Sequence, residues 1–402
     1  MKVKMWKKLI SMALVGAMTL TMLVGCSNSS TNNEANKATE KATEKATEKA
    51  TEPANNSNDK PTIGVVFYSK TDSLGAQVYS LVNSAADALD VNVKWEIGAL
   101  DNDTQISQVQ NLISAGVDGI MIIPLANSVS QKVSQLCKDA GVYLSFCFRN
   151  ITDPDIEAEV TANPYFVGMV CEDEQGAASY LVESLTKKGR KNLGVGYSTP
   201  GSAVGDNRNI GFDNGLKEFG AKKLAEFTIP GDGDVNAVSS SVQNFLSAYP
   251  SMDGIVLGAT SLGCGESVIK ILSASNQDVV FAGIDTFEGM KDAFASGKLV
   301  TLAGGMAPDS LYAFSILYNA CKGTPVSDKY IELQQPYLFI ENVEDCEVFE
   351  TYIADPEKLP NVFTKEYVQS LSKANNDKLD VNTIQESMNK YSVQWINDQV
   401  KE

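Results

Sequence analysis

Side chains able to hold a small polar molecule stand at the ends of short apolar runs in this 402-residue chain. Tyr68 closes the run from Ile63, Phe148 and Arg149 follow Val142–Phe146, and Asp285 follows Val279–Ile284. An aromatic face stacks on a ring, a guanidinium fork donates in plane to neighbouring oxygens, and a carboxylate accepts from hydroxyls. These are groups for recognition. Histidine is absent, which removes Ser-His-Asp and Cys-His nucleophile systems and every His-based zinc site. Asp101-x-Asp103-x-Gln105 begins like a calcium loop, but Ile106 and Leu112 replace the required glycine and glutamate. Gly263-Cys264-Gly265 lacks the third glycine of a dinucleotide fingerprint, and there is no Walker-type phosphate loop. No cofactor and no catalysed reaction are expected.

The elements that must position these side chains alternate in type. Strand candidates are Ile63–Tyr68, Val91–Ile97, Gly119–Ile123 and Val142–Phe146, with helical spacing over Leu74–Leu89, Asp103–Ala115 and Ser128–Ala140 between them. A second series runs Leu193–Tyr197, Leu224–Ile229, Gly254–Leu257 and Val279–Ile284. Near-continuous apolar strands alternating with helices predict α/β architecture with parallel sheets covered on both faces. Ile63–Ser69 can be laid on Leu193–Thr199, an offset of 130, and Val117–Met121 on Met252–Val256, an offset of 135. Two similar lobes are the simplest inference. Open parallel sheets bind ligands beyond the carboxyl ends of their strands, so facing lobes would share one cleft.

The N-terminus reads as an address. Met1–Lys8 is short and basic, and Leu9–Gly25 is uncharged and mostly apolar, marginal for a span and suited to a signal-peptide core. It ends in Leu23-Val24-Gly25-Cys26, which resembles the bacterial lipobox and implies lipidation of Cys26. A four-residue Lys-Ala-Thr-Glu repeat from Lys37 to Glu52 follows. Its composition predicts a solvated tether with a reach of about 30 Å. The whole chain carries a net charge of −17; without Lys2, Lys4, Lys7 and Lys8 it holds 29 basic and 50 acidic residues, a net of −21. Such a polyanion disfavours nucleic acid. The other six cysteines are scattered, with no Cys-x-x-Cys pair, and are expected mostly as free buried thiols.

The strand-end loops, together with Ala115–Ile120, Pro124, Ala140-Gly141, Arg149, Arg208-Asn209-Ile210-Gly211-Phe212, Gly283-Ile284-Asp285 and Gly297-Lys298-Leu299, resemble the ribose- and galactose-type periplasmic binding proteins, receptors of bacterial ABC sugar importers. The resemblance covers roughly residues 61–345. It implies a type I fold: two Rossmann-like lobes with parallel sheets, joined by a three-crossover hinge. Crossovers are expected near Val167–Cys171, Ala303–Met306 and Pro336–Asn342, with Gly304-Gly305 suited to hinge motion. The implied organisation is a signal peptide at 1–25 and a lipidated cysteine with tether at 26–60. Lobe 1 would take 61–169 plus 306–335, and lobe 2 170–305 plus 336–402. The last stretch adds helices such as Thr364–Lys373 and Asn382–Trp395.

By the same resemblance Arg149, Arg208 and Asp285 match ligand-contacting positions. The sequence departs from the pattern at Phe148, Leu74-Gly75, Ala259-Thr260 and Met306, where sugar receptors place polar or paired aromatic side chains. Such changes alter specificity, since a site built to pair hydroxyls loses heavily when a partner is missing. Phe148 and Tyr68 could stack a ring instead, and Thr260 and Met306 complete the candidate contacts. Asp72 flanks the cleft, where it would equally suit the N-cap of the following helix. The expected function is an extracytoplasmic solute-binding lipoprotein, a monomer anchored to the cell membrane. It would capture a sugar or sugar-like molecule and deliver it to an ABC permease. The alternatives are a ligand-sensing subunit for a membrane kinase or chemoreceptor, and an importer receptor for an anionic or aromatic solute.

Overall fold

Apolar strands buried on both faces need helices on both sides, and the chain supplies them twice. The computed structural model describes residues 60–401. The readings made for Cys26, the signal peptide and the repeat lie outside the described residues. Lobe 1 opens with β1 (Thr62–Phe67), α1 (Ser73–Leu89), β2 (Asn92–Ile97), α2 (Asn102–Ser114), β3 (Gly119–Ile122), α3 (Asn127–Ala140), β4 (Tyr143–Cys147), α4 (Pro154–Thr161) and β5 (Phe166–Glu172). Lobe 2 repeats the plan after α5 (Glu174–Lys187), with β6 (Asn192–Tyr197), α6 (Ala203–Glu218), β7 (Lys222–Thr228), α7 (Val235–Ala248), β8 (Gly254–Leu257), α8 (Cys264–Ala274), β9 (Val280–Ile284), α9 (Met290–Ala295) and β10 (Leu299–Gly304). The chain then returns to lobe 1 through α10 (Pro308–Cys321) and β11 (Ile331–Gln335), and crosses again to β12 (Leu338–Ile340).

The sheet orders are β11-β5-β4-β3-β1-β2 and β12-β10-β9-β8-β6-β7. All neighbours run parallel except β12, which is antiparallel to β10. The internal similarity is exact in register. Ile63 pairs with Gly119 between β1 and β3, and Leu193 pairs with Gly254 between β6 and β8. Interior strands such as β3, β5, β8 and β9 are buried along their whole length, whereas the edge strands β2 and β7 are partly exposed. Gly168 is needed where β5 meets β11, because a Cβ there would sit 2.1 Å from the Ile331 carbonyl oxygen.

The crossovers differ in part from the sequence expectation. Val167–Cys171 is not a connection; it lies inside β5, hydrogen-bonded to β4 and β11. A strand that is apolar throughout looks like a buried linker when its partners are unknown. The chain leaves lobe 1 at Asp173, which caps α5 by accepting from the Gly176 N–H. The second passage is Gly305–Ala307 and the third Pro336-Tyr337.

The C-terminal extension also packs differently from its expected place on lobe 2. It comprises α11 (Val343–Val348), a π-helical turn (Phe349–Ile353), α12 (Leu359–Val362), α13 (Lys365–Ser370), α14 (Val381–Met388) and α15 (Val393–Lys401). One helix expected over Asn382–Trp395 is thus two, α14 and α15. α12 and α13 lie on α1 of lobe 1, α14 lies on β11, and α11 reaches α9 of lobe 2. Phe363, Tyr367, Tyr391 and Trp395 form an aromatic cluster with ring centroids 5.5–6.1 Å apart. From it the Tyr391 hydroxyl donates to the Gly305 carbonyl at 2.9 Å. Tyr312 of α10 shares a 2.6 Å hydrogen bond with Tyr367. The extension therefore holds the second crossover from outside. Phe363 is fully buried, so Phe363→Ala is expected to lower stability by about 3–5 kcal/mol, read from the denaturant midpoint of the ligand-free protein. Unchanged stability would show that the extension is not integral to the fold.

Candidate functional site

Helices in both lobes begin where strands end, so their capped N-termini collect at the carboxyl edges of the sheets. Asp72, Asp101 and Asp153 cap helices of lobe 1; Ser202 and Asp234 cap helices of lobe 2. Between these edges lies a cavity of about 360 Å³, walled by Pro124–Asn127 and Arg149 from lobe 1 and by Gly201–Val204 and Asp232 from lobe 2.

Two residues at equivalent places in the two sheets share the same unusual backbone. Phe148 directly follows β4 with φ +61°, and Asp285 directly follows β9 with φ +75°. Neither is glycine, so each left-handed turn costs about 1–3 kcal/mol, held in place by the surrounding structure. Thr260 shows how. It is fully buried, and its hydroxyl donates to the Ile284 carbonyl at 2.9 Å and the Asp285 carbonyl at 2.6 Å. Thr260, proposed as a ligand contact, is occupied in holding Asp285. The Asp285 carboxylate keeps about a fifth of its surface open and lies 3.8 Å from Arg208. Burial pushes its carboxyl up, against the pull of Arg208.

Arg208 differs most from expectation. Its Nε donates to Glu174 at 2.7 Å, Nη1 to the Gly258 carbonyl at 2.7 Å, and Nη2 to the Tyr337 hydroxyl at 3.0 Å. Tyr337 in turn donates to Glu174 at 2.9 Å. Burial alone would lower the Arg208 pKa, but the Glu174 carboxylate outweighs it and keeps the guanidinium charged. Arg208 thus ties the start of α5 and the third crossover to lobe 2, with its fork turned to protein partners.

Arg149 is half-buried and donates to its neighbour's carbonyl at 2.7 Å, leaving other N–H groups toward the cleft. Tyr68 stacks on Phe67 with centroids 4.7 Å apart. Its hydroxyl is pushed up to about 12 by burial and then by Asp72, with Arg149 opposing and Asp285 from the other lobe adding to the rise. Tyr68 therefore lies within electrostatic reach of Arg149 in its own lobe and of Asp285 in the other. Phe148 packs edge-on against Phe67, almost wholly buried. Asp72 is exposed and caps α1, accepting from the Gly75 N–H at 3.1 Å. Met306 sits half-buried in the second crossover. All six cysteines of the described residues are free.

The sequence reading missed the acids at the hinge. Glu172 ends β5 and Asp309 opens α10, both buried. The Glu172 carboxyl is pushed up to about 8 by burial and by the charge of Glu174, with Arg149 and Arg208 opposing. Asp309 is raised well above the carboxylate range by burial, Glu172 and Glu174. The nearby Phe148 N–H is committed to the Val170 carbonyl at 2.8 Å. A polar triplet ending an apolar run, Glu172-Asp173-Glu174, was the available signal.

Comparison with known proteins identifies the family and the fold. A family model described as a periplasmic binding protein domain matches residues 63–325. The chain belongs to the periplasmic binding protein family. Among its relatives is a xylitol-binding protein of Mycolicibacterium smegmatis, 27% identical over 249 residues, covering 61% of this chain and 67% of the relative. A D-ribose/D-allose-binding protein of Pseudomonas aeruginosa is 23% identical, covering 62% and 78%. A solute-binding protein of Bacillus halodurans, solved with bound myo-inositol, superposes with a TM-score of 0.57 at 20% identity, covering 72% of this chain and 97% of that one. A ribose-transporter protein of Conexibacter woesei gives 0.62 at 14% identity, covering 74% and 97%. This periplasmic binding protein therefore has the two-lobed fold of solute receptors.

Two outcomes test the electrostatics. Arg208→Ala leaves Glu174 buried without its partner and is expected to destabilise the ligand-free protein by about 3–5 kcal/mol, measured by chemical denaturation. A raised carboxyl also makes stability pH-dependent. From an ordinary value of 4.5 to about 8, folded Glu172 keeps a proton that the unfolded chain has lost. Its contribution is full below that window and is lost as pH rises through it. Thermal midpoints compared at acid and alkaline ends of the window should therefore differ less in Glu172→Gln than in the parent. An equal difference would refute the assignment.

Proposed function

We propose that this protein is an extracytoplasmic receptor that captures a small sugar or polyol between its lobes and delivers it to an ABC permease. The observation that carries the proposal is the cavity of about 360 Å³ between the carboxyl edges of both sheets, walled by Arg149 from one lobe and by Gly201–Val204 and Asp232 from the other, with Tyr68 and Asp285 close enough to interact electrostatically. Arg149 supplies planar donors, Asp285 supplies acceptors, and Tyr68 supplies a ring edge with a hydroxyl, a set suited to a molecule rich in hydroxyl groups. The named relatives bind xylitol, ribose and allose, and the solved neighbour holds myo-inositol, which supports the same class here. Three chain passages let the lobes move about one axis, and closure would present both lobes together to the permease.

The sequence supports a lipid on Cys26 as the membrane anchor, with the repeat as tether and a monomeric body. An anionic solute fits less well than the sequence reading allowed. The named relatives and the solved neighbour bind neutral polyols and sugars.

Calorimetric titration with xylitol, D-ribose, D-allose and myo-inositol tests the proposal. Saturable binding is expected for at least one. Arg149→Ala and Asp285→Ala should each weaken it by roughly ten- to a hundredfold, the worth of a charge-assisted hydrogen bond. Binding untouched by both substitutions would place the solute elsewhere.

A further inference from the structure

Beside the cleft, at the first crossover, a second cavity of about 300 Å³ opens between the lobes. It shares Asn150 and Val204 with the wall of the main cleft, so the two spaces adjoin. Its charged lining is wholly acidic: Glu172, Asp173 and Glu174. Two of these are accounted for, since Asp173 caps α5 and Glu174 is paired with Arg208. Glu172 is not. Only 7% of its surface is exposed, and its carboxylate is held by its own backbone N–H, with Arg149 and Arg208 acting on it through space. Behind it both carboxylate oxygens of the fully buried Asp309 lack a partner. A buried acid with one local donor, or none, is costly, because its desolvation is only partly compensated.

From Glu172, which lines this cavity of wholly acidic charge with no partner from any other side chain among the described residues, we infer that the crossover cavity is a subsite for a protonated amine. The inference deepens the receptor reading and rests on it: the captured solute would be a polyol or sugar carrying an amino group, with its hydroxyls in the main cleft. An ammonium group brings both the missing charge and three donors. Asn150 and Gln334 in the same lining add amide oxygens for its remaining hydrogens. A bare metal ion is the poorer fit, since no three acidic or other ligating side chains of the described residues converge to hold one. Without an amine, a proton serves Glu172, in keeping with a carboxyl pushed up to about 8.

The test is a calorimetric comparison of glucosamine, galactosamine and an aminocyclitol with their parent hydroxyl compounds, plus methylammonium alone, on the protein and on Glu172→Gln. At least one amine should bind ten times or more tighter than its parent, and Glu172→Gln should abolish that preference. Asp309→Asn, which removes the other unpaired acid, should shrink it as well and stands in if the first variant fails to fold. Saturable methylammonium binding lost in Glu172→Gln would support the subsite and identify a free small amine as its occupant. Parents bound as tightly as amines, with no binding of methylammonium, would overturn the inference and leave the receptor reading intact. No binding of amines or parents would overturn both.

Discussion

The ion pair between Arg208 and Glu174, with Tyr337 closing the triangle, is the constraint on which the arrangement of the lobes depends. A buried guanidinium and a buried carboxylate are each too costly to leave alone, so their partners cannot drift apart. Glu174 lies directly after the first crossover and Tyr337 within the third. Arg208 itself sits on α6, and its contact with the Gly258 carbonyl reaches the end of β8. One side chain thus fixes, relative to the lobe 2 sheet, the points from which the chain passes to lobe 1. The second crossover is held separately, through the Tyr391 hydroxyl on the Gly305 carbonyl. Hinge motion must then occur within a few residues around Asp173, Gly305-Met306 and Pro336.

On this frame the candidate side chains stand where each sheet ends. The left-handed turns at Phe148 and Asp285 redirect the chain at the same point of each lobe. Thr260 shows the supporting device: a buried hydroxyl bonded to two successive carbonyls of the turn. The hydrogen bonds beneath the strand end fix the backbone of the strained turn at Asp285.

Much of the fold was legible in the sequence because its signals are periodic and local. Apolar runs bounded by turns identified eight strands to within a residue or two, and the offsets of 130 and 135 exposed the duplication. Phe148, Arg149 and Asp285 could be placed at strand ends for the same reason. Arg208 could not be read correctly, because its partners lie 34 and 129 positions away and a motif does not say which way a fork turns. Thr260 looked like a replaced ligand contact, although its hydroxyl serves the backbone. Glu172 ends an apolar strand, and nothing local in the sequence says that β11 will pair beside it. The extension showed amphipathic helices, which imply a buried face and say nothing of the surface that buries it.

The most direct test of the central claim is a crystal structure of the protein with the tightest-binding polyol or sugar. The account predicts the solute enclosed between the lobes, within hydrogen-bond distance of both Arg149 and Asp285, with Arg208 still bonded to Glu174. A solute bound outside the cleft, or contacting one lobe only, would contradict it.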